Sequence, residues 1–551
     1  MNQRRESLIF LTVGAALCAL TFGSQLGGSF VWDDVPTIRD NASLHSFRGL
    51  WRNLSMDAWS AAGKAPGQFY RPLLLLTFWI QVQLGAESVE SFRIVNILLH
   101  LGASLAFLRL LRRFAISPGI ALGAAWLFLA HPAVTEPVMF LGARQEPLGV
   151  LYTIGAVLLW PAPLTPRPHA RYLLASLLVL FAFLTKEAYL VAPLLIALAH
   201  FIWHRDRLKT RAQIQQLAWL ILPVGAVAVG FALRAHLGID SQSPQARESL
   251  GSLLMAFATI IQHYGELFVT LSNAGTFALY EPLGWSMSAL VLLPLCAALA
   301  WFLRLFWRSE PANITLGGAF LGLFWLAVAL APLVMFVPIL GAYQNRYAYF
   351  PLLGALLAVA SLAQLASPRI AVAFSKLPAA RVLAYVAALG LLALTTAATR
   401  LEASLWRDDL ALFETGAVRE PENGIALYHY AHAVWNHAGC AKALPIYQQS
   451  VRYAPRYQRA WGNVAGCLID LRRYREALEP ARRALELAPD SPGARYNLGV
   501  VLLRLGQREQ AMAELRHALA LDPSHTKVRT LLDYLSTHDS PPPDDAGRSR
   551  E

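Results

Sequence analysis

Eleven apolar runs constrain this chain more than any other feature. They lie near 7–26, 91–111, 119–135, 146–162, 171–185, 188–203, 215–236, 285–306, 316–338, 347–366 and 381–398. Each is close to the ~20 residues that an α-helix needs to cross a bilayer. A chain of 551 residues that is 56% hydrophobic and 15% charged cannot hide that much apolar surface in a water-soluble core. The runs are therefore read as membrane helices. The first follows the basic segment MNQRRE, as the core of a signal peptide does. More apolar segments keep coming after it, so it is read as an uncleaved anchor.

Lysine and arginine set the orientation. Arg4 and Arg5, RLLRR (109–113), PRPHARY (166–172), WHRDRLKTR (203–211), RLFWR (304–308) and SPRIAVAFSKLPAAR (367–381) fall on one side of such a bundle. Basic loops face the cytoplasm, so the other loops and everything after Arg400 face outward. This bias accounts for most of the formal net charge of +12 and gives no reason to expect nucleic acid. Cys18 and Cys296 lie in membrane helices. Cys440 and Cys467 lie in the outward tail, where a disulfide is permitted, although packed thiols are the plainer reading. Their spacing matches no metal motif.

The last quarter of the chain carries a ruler. Pro421, Pro455, Pro489 and Pro523 stand 34 residues apart, as do Ala443, Ala477 and Ala511, and Ala431, Ala465 and Gly499. The clearest copy reads NLGVVLLRLGQREQAMAELRHALALDP (497–523). This is the tetratricopeptide period: small residues let the two helices of a repeat pack, and proline ends the second. The expected domains are a membrane domain over 1–400, a connecting amphipathic helix over 401–424, three repeats over 425–523, and a capping helix with a disordered tail over 524–551. Asp408 and Asp409 on the connecting helix read as a solvated face. Repeats of this kind grip peptides or proteins, and they also serve as oligomer contacts.

The polar residues of the membrane part gather at one level. The first outward loop holds Asp33 and Asp34 in FVWDDVP, and later Arg71 in YRP. Further turns hold His131, Glu136, Arg144 and Glu146 in HPAVTEPVMFLGARQEP, Lys186 and Glu187 in LTKEAYL, and Asn345, Arg346 and Tyr347 in GAYQNRYAYFP. An amphipathic stretch around 250–272 and Glu281 occupy the large loop 237–284. Ionisable groups at the outer ends of membrane helices are costly unless they pair or line a wet cavity. Each also has a plainer role: snorkelling for Arg144 and Lys186, pairing with Lys186 for Glu187, helix-end packing for His131, and capping for Asp33 and Asp34. Two carboxylates at such a mouth can act as a general base or as metal ligands. Nearby arginines and lysines can hold a phosphate. A sugar on a polyprenyl phosphate meets these requirements: a carboxylate takes the proton of the attacking hydroxyl, and cations stabilise the departing phosphate.

WDD, YRPL, NILLH (96–100), HPAVTEPV, GARQE, TKE and NRYAYFP occur in that order. With the terminal repeats, this set resembles the membrane-embedded GT-C glycosyltransferases. More closely, it resembles the transmembrane-and-tetratricopeptide-repeat O-mannosyltransferases and their bacterial relatives, over nearly all of 1–523. The resemblance implies an all-α fold, a GT-C-like polytopic membrane bundle of about 11 helices followed by a tetratricopeptide-repeat solenoid. It implies a mannosyltransferase-like enzyme that moves a monosaccharide from a polyprenyl-phosphate donor, with inversion, to a hydroxyl on an extracytoplasmic protein held by the repeats. It implies that Asp33 or Asp34 is the base. Arg71, His131, Glu136, Arg144, Lys186, Glu187 and Arg346 are then the candidates for donor contact, with Glu136 and Glu187 also placed to orient the cations.

The short repeat array departs from the eukaryotic members and leaves the acceptor open between protein and envelope lipid or polysaccharide. A composition rich in alanine, leucine and arginine points to a bacterial source, hence to an undecaprenyl lipid, a multi-pass inner membrane location and a periplasmic outer face. The residues specify no certain cofactor. A divalent metal stays an option through Asp33 or Asp34 with His131 or Glu136, but the spacing specifies no closed site. A non-catalytic scaffold that presents the repeats is the contrasting reading. A transporter would carry its polar groups nearer the bilayer midplane.

Overall fold

The structure is a computed structural model that describes residues 2–62, 69–162, 168–207, 216–239, 249–271, 278–309, 313–335, 342–376, 378–538, 540 and 542. The expected disordered tail beyond 542 lies outside the described residues, as do parts of the basic loops at 166–167 and 208–211 and the end of the run at 336–338. The chain is all-α. Strand geometry among the described residues is confined to two segments of two residues, Ala278–Leu279 and Ala342–Tyr343. It divides into two units. One comprises Met1–Asn273 and Leu279–Asp408, the other Ala274–Ala278 and Asp409–Glu551.

In the first unit, nine helices among the described residues are long and apolar enough to cross a membrane. Helices Pro118–Leu129 and Pro132–Met139 reach that length and apolarity only as a pair, and they meet at 53°. The cause is local. Pro132 cannot continue the first helix, and His131 Nδ1 accepts the N–H of Ala133 at 3.1 Å, starting a new turn. Two expected spans are shorter than a bilayer: Gln145–Leu159 has 15 residues and His169–Thr185 has 17. Conversely, the stretch expected to be merely amphipathic is a helix of 21 residues, Leu250–Thr270, apolar enough to span. Its Thr259, Gln262, His263 and Glu266 interrupt the apolar run that marks the other spans. Helices Ile314–Leu330 and Tyr349–Lys376 cross at glycines. A Cβ on Gly322 would lie 2.6 Å from the carbonyl oxygen of Gly354, and one on Gly354 would lie 2.7 Å from that of Gly322. Without a hydrophobic force between helices in lipid, such backbone contact supplies the packing.

Arg93 closes the first loop onto the end of the last membrane helix. It is buried and donates to the carbonyls of Gln25 (2.8 Å), Leu26 (3.1 Å), Gly27 and Trp406. Gly28, at φ +132°, sits where a Cβ would strike the carbonyl oxygen of Arg407, so only glycine fits. The next residues are the WDD stretch, which is thereby fixed in place.

The second unit is a solenoid of helix pairs: Gly424–Ala438 with Cys440–Tyr453, Gln458–Asp470 with Tyr474–Leu487, and Pro492–Arg504 with Arg508–Leu521. Helix Thr526–Thr537 follows. The residues that keep the 34-residue step are its core. Ala431, Ala443, Ala465, Ala477 and Ala511 are fully buried, and a Cβ on Gly499 would press on Leu515 at 2.9 Å. Helix Asp409–Arg419 precedes the repeats. It starts later than the amphipathic pattern suggested, because the chain leaves helical geometry at Trp406 and is extended at Asp408. Cys440 and Cys467, on neighbouring helices, form a disulfide with Cα atoms 5.0 Å apart, so they are paired rather than separately packed.

Candidate functional site

The two aspartates of WDD have different surroundings. Trp32 takes the left-handed backbone conformation (φ 54°). Its ring stacks on Phe140 (5.5 Å), which stacks in turn on Trp406 (5.6 Å). This turn drives Asp34 inward. Its carboxylate accepts the N–H of Gly142 at 2.7 Å and of Leu141 at 3.2 Å. Burial pushes its pKa up to about 8, against the pull of those two N–H groups. Asp33 is half-buried and interacts electrostatically with Arg346.

Five of the expected residues come together around Tyr347. Arg346 donates to Glu136 through its side chain at 2.7 Å and through its backbone N–H at 3.1 Å. Its guanidinium lies over the rings of Trp32, Phe140 and Tyr347 at 5.3–5.5 Å. Lys186 pairs with Glu146 and sits 4.5 Å above the Tyr347 ring. Glu187 pairs with Arg234. The neighbours Lys186 and Glu187 therefore do not pair with each other. Lys186 is extended between helix His169–Thr185 and the turn Glu187–Val191, so the two side chains leave on different sides.

Arg71 completes the group. It caps helix Pro72–Gln83 and feels Glu187, Tyr347, Arg346 and Glu146. Burial pulls its pKa down, and Glu187 pulls it back up. Its guanidinium rests 4.6 Å over Phe69, and its buried Nε has no hydrogen-bond partner among the described residues. Four cations thus face three glutamates, with Asp33 alongside.

Two expected residues lie outside this group. Arg144 is fully buried. It donates to Asn96 (2.7 Å), Gln81 (2.9 Å), the Phe92 carbonyl (3.2 Å) and Thr77 (3.3 Å). Burial lowers its pKa to about 9, with Asp34 opposing. These bonds hold the loop that caps Asp34, and Arg144 neither snorkels nor reaches the Tyr347 cluster. His131 is spent on the helix break: besides Ala133, it bonds the Phe268 carbonyl at 3.2 Å. The NILLH motif is structural too. Asn96 donates to the Val138 carbonyl (3.1 Å), and His100 bridges Tyr349 (2.7 Å) and the Leu129 carbonyl (3.1 Å). Sequence reasoning did not place Tyr347, Glu146 or Arg234 among the site residues. Tyr347 and Glu146 lay in motifs already singled out, whereas Arg234, in the last turn of helix Ile221–His236, carried no signal. Among the described residues, no three His, Cys, Asp or Glu side chains group as a metal site would require.

An all-α, multi-pass membrane protein with terminal helical repeats is the class that these observations define. Comparison with known proteins agrees. Tetratricopeptide-repeat family profiles match residues 431–492 and 472–533. The chain is 26% identical to the protein O-mannosyl-transferase Tmtc3 of Drosophila melanogaster over 90% of its own length and 60% of that protein's. It is 28% identical to a protein O-mannosyl-transferase of Caenorhabditis elegans over 40% of its length and 32% of the relative's. The chain is thus similar to protein O-mannosyl-transferases, and it spans about a third to three fifths of the length of these relatives. The Archaeoglobus fulgidus oligosaccharyltransferase is similar at a TM-score of 0.38 and 14% identity, over 72% of this chain and 56% of the other.

Proposed function

We propose that the protein transfers a monosaccharide from a polyprenyl-phosphate donor to a hydroxyl group of an extracytoplasmic protein, with inversion at the anomeric carbon. Asp33 takes the hydroxyl proton as the acceptor oxygen bonds to the anomeric carbon. The bond from that carbon to the phosphate oxygen breaks, and the lipid phosphate leaves with the electron pair. Asp34 is unsuited to this task because both its oxygens are committed to backbone N–H groups. Arg71 receives the phosphate, while Arg346 and Lys186, each held by a glutamate, supply a fixed positive field around it.

The observation that carries the reading is Arg71: a cation with no hydrogen bond or ion pair among the described residues, in a cluster whose other cations are neutralised. A guanidinium with no direct partner at such depth is retained where an anion visits. The names of the relatives make mannose the first sugar to test. The bias of the basic loops supports a site and repeats on the outer side of a cytoplasmic membrane, and the Cys440–Cys467 disulfide supports an oxidising compartment there.

The test is a gene deletion complemented with wild type or Asp33→Asn, followed by intact-mass spectrometry of exported proteins and envelope lipids. A hexose mass lost from proteins and restored only by wild type supports the proposal. An unchanged glycan profile, with any defect rescued equally by the variant, defeats it in favour of a scaffold. A change confined to lipid moves the acceptor.

A further inference from the structure

The solenoid holds a cavity of about 640 Å³, lined by the first helices of all three repeats and by the turn that leads into helix Thr526–Thr537. The 34-residue ruler shows how it arises. Arg459, Gly493 and Lys527 occupy one register position in successive units, and Tyr428, Gly462 and Tyr496 occupy another. In both stripes a glycine stands between two large side chains. A Cβ on Gly493 would meet nothing within 4 Å, and one on Gly462 would meet only Gln458 Nε2 at 3.9 Å. The space is therefore left by the glycines, with tyrosines bounding one stripe and cations the other.

The lining has a single sign. No aspartate or glutamate is among its residues. Elsewhere on the solenoid arginines are paired, as in Arg473–Glu476, Arg483–Glu486 and Arg495–Glu514. Arg459 and Lys527 have no ion-pair partner among the described residues. Asn497 donates its Nδ2 to the Gly462 carbonyl at 3.0 Å, which fixes the amide and leaves Oδ1 as an acceptor. Two cations that flank a slot, an oriented amide oxygen and tyrosine walls match an extended peptide with carboxylate side chains. Its backbone N–H groups would donate to the amide, and its acidic side chains would meet Arg459 and Lys527.

We infer that this cavity binds an acidic, extended segment of a partner protein. The inference deepens the reading of the repeats as the protein-holding part, and its test needs no sugar donor, so its failure would leave the transfer proposal standing. The full chain in nanodiscs is titrated against a fluorescein-labelled ten-residue peptide of alternating Glu and Ser, and against Gln/Ser and Lys/Ser counterparts, by anisotropy. The Glu peptide should bind at least tenfold more tightly than the Gln peptide, and the margin should shrink with added salt. The Arg459→Glu, Lys527→Glu double variant should reverse the preference toward the Lys peptide. Gly493→Glu places a carboxylate in the first turn of helix Pro492–Arg504, where the helix dipole favours it. It should abolish binding of the Glu peptide with the helical circular dichroism unchanged. Equal affinity for the Glu and Gln peptides, no peptide binding at all, indifference to both sets of substitutions, or tighter binding of dextran sulfate than of the Glu peptide would each overturn the inference.

Discussion

Replacing Arg71 with alanine separates a catalytic role from a structural one. In the cluster around Tyr347, Arg71, Lys186, Arg234 and Arg346 face Glu136, Glu146 and Glu187, and Asp33 balances the excess cation. Removing Arg71 leaves the set one negative charge in surplus where the lipid phosphate must sit. A hydrogen bond to a charged group is worth about 1.5–3 kcal/mol, and 1.36 kcal/mol is a factor of ten in rate. Transfer should therefore fall by roughly ten- to a hundredfold in kcat/KM. Stability should respond differently. The buried Nε of Arg71 has no partner among the described residues, so truncation breaks no hydrogen bond. The contact with Phe69 is lost, about 0.5–1 kcal/mol at most, and the attraction of Glu187 and Glu146 goes together with the burial penalty that opposes it. The assay measures transfer of labelled mannose from polyprenyl phosphate in nanodiscs beside thermal unfolding of the same preparation. Wild-type transfer by Arg71→Ala, or a stability loss of several kcal/mol that accounts for the drop, would refute the argument. Arg71→Lys keeps the charge without the planar fork and should retain part of the rate.

Three further outcomes follow from the same geometry. The folded-state pKa of Asp34 is raised, to about 8, so its contribution to stability is fully present below its unfolded pKa of ~3.9 and is lost as pH rises through 8; Asp34→Asn should flatten the fall in Tm between pH 5 and 8, and an unchanged slope would count against this burial. Arg144→Ala strands the acceptors on Asn96, Gln81 and Phe92 and should cost roughly 3 kcal/mol or more, which chemical denaturation of the membrane unit would register. The Cys440–Cys467 bridge closes a segment with a sequence separation of 27, which chain entropy values at about 3.5 kcal/mol; Cys440→Ser should unfold the repeats at lower denaturant, and non-reducing mass spectrometry should find the linked peptides in wild type.

The repeats were legible because their structure is local. Ala431, Ala465 and Gly499 recur at a fixed step, and each is small because a neighbouring helix lies against it. The membrane helices were legible from length and apolarity, and the exceptions are instructive. Leu250–Thr270 hid because one face carries Gln262, His263 and Glu266. The gathering of Arg71, Glu136, Lys186, Glu187 and Arg346 followed from their common depth at the outer ends of helices. Their pairing did not. Whether Lys186 meets Glu187 or Glu146 depends on the backbone turn between two helices, and Arg234 comes from a helix that carries no motif. The WDD pair was read as one feature, yet it splits. The left-handed turn at Trp32 and the N–H groups of Leu141 and Gly142 bury Asp34 and leave Asp33 beside Arg346, a distinction set by a contact more than 100 residues away in sequence.

The most direct test of sugar transfer through Asp33 compares wild type with Asp33→Asn in nanodiscs supplied with polyprenyl-phosphate mannose and an exported acceptor protein, reading product mass and, by NMR, its anomeric configuration. The predicted result is an inverted mannoside from wild type and none from Asp33→Asn, with both proteins melting at the same temperature. Full transfer by Asp33→Asn, or a product that retains the donor's configuration, would contradict it.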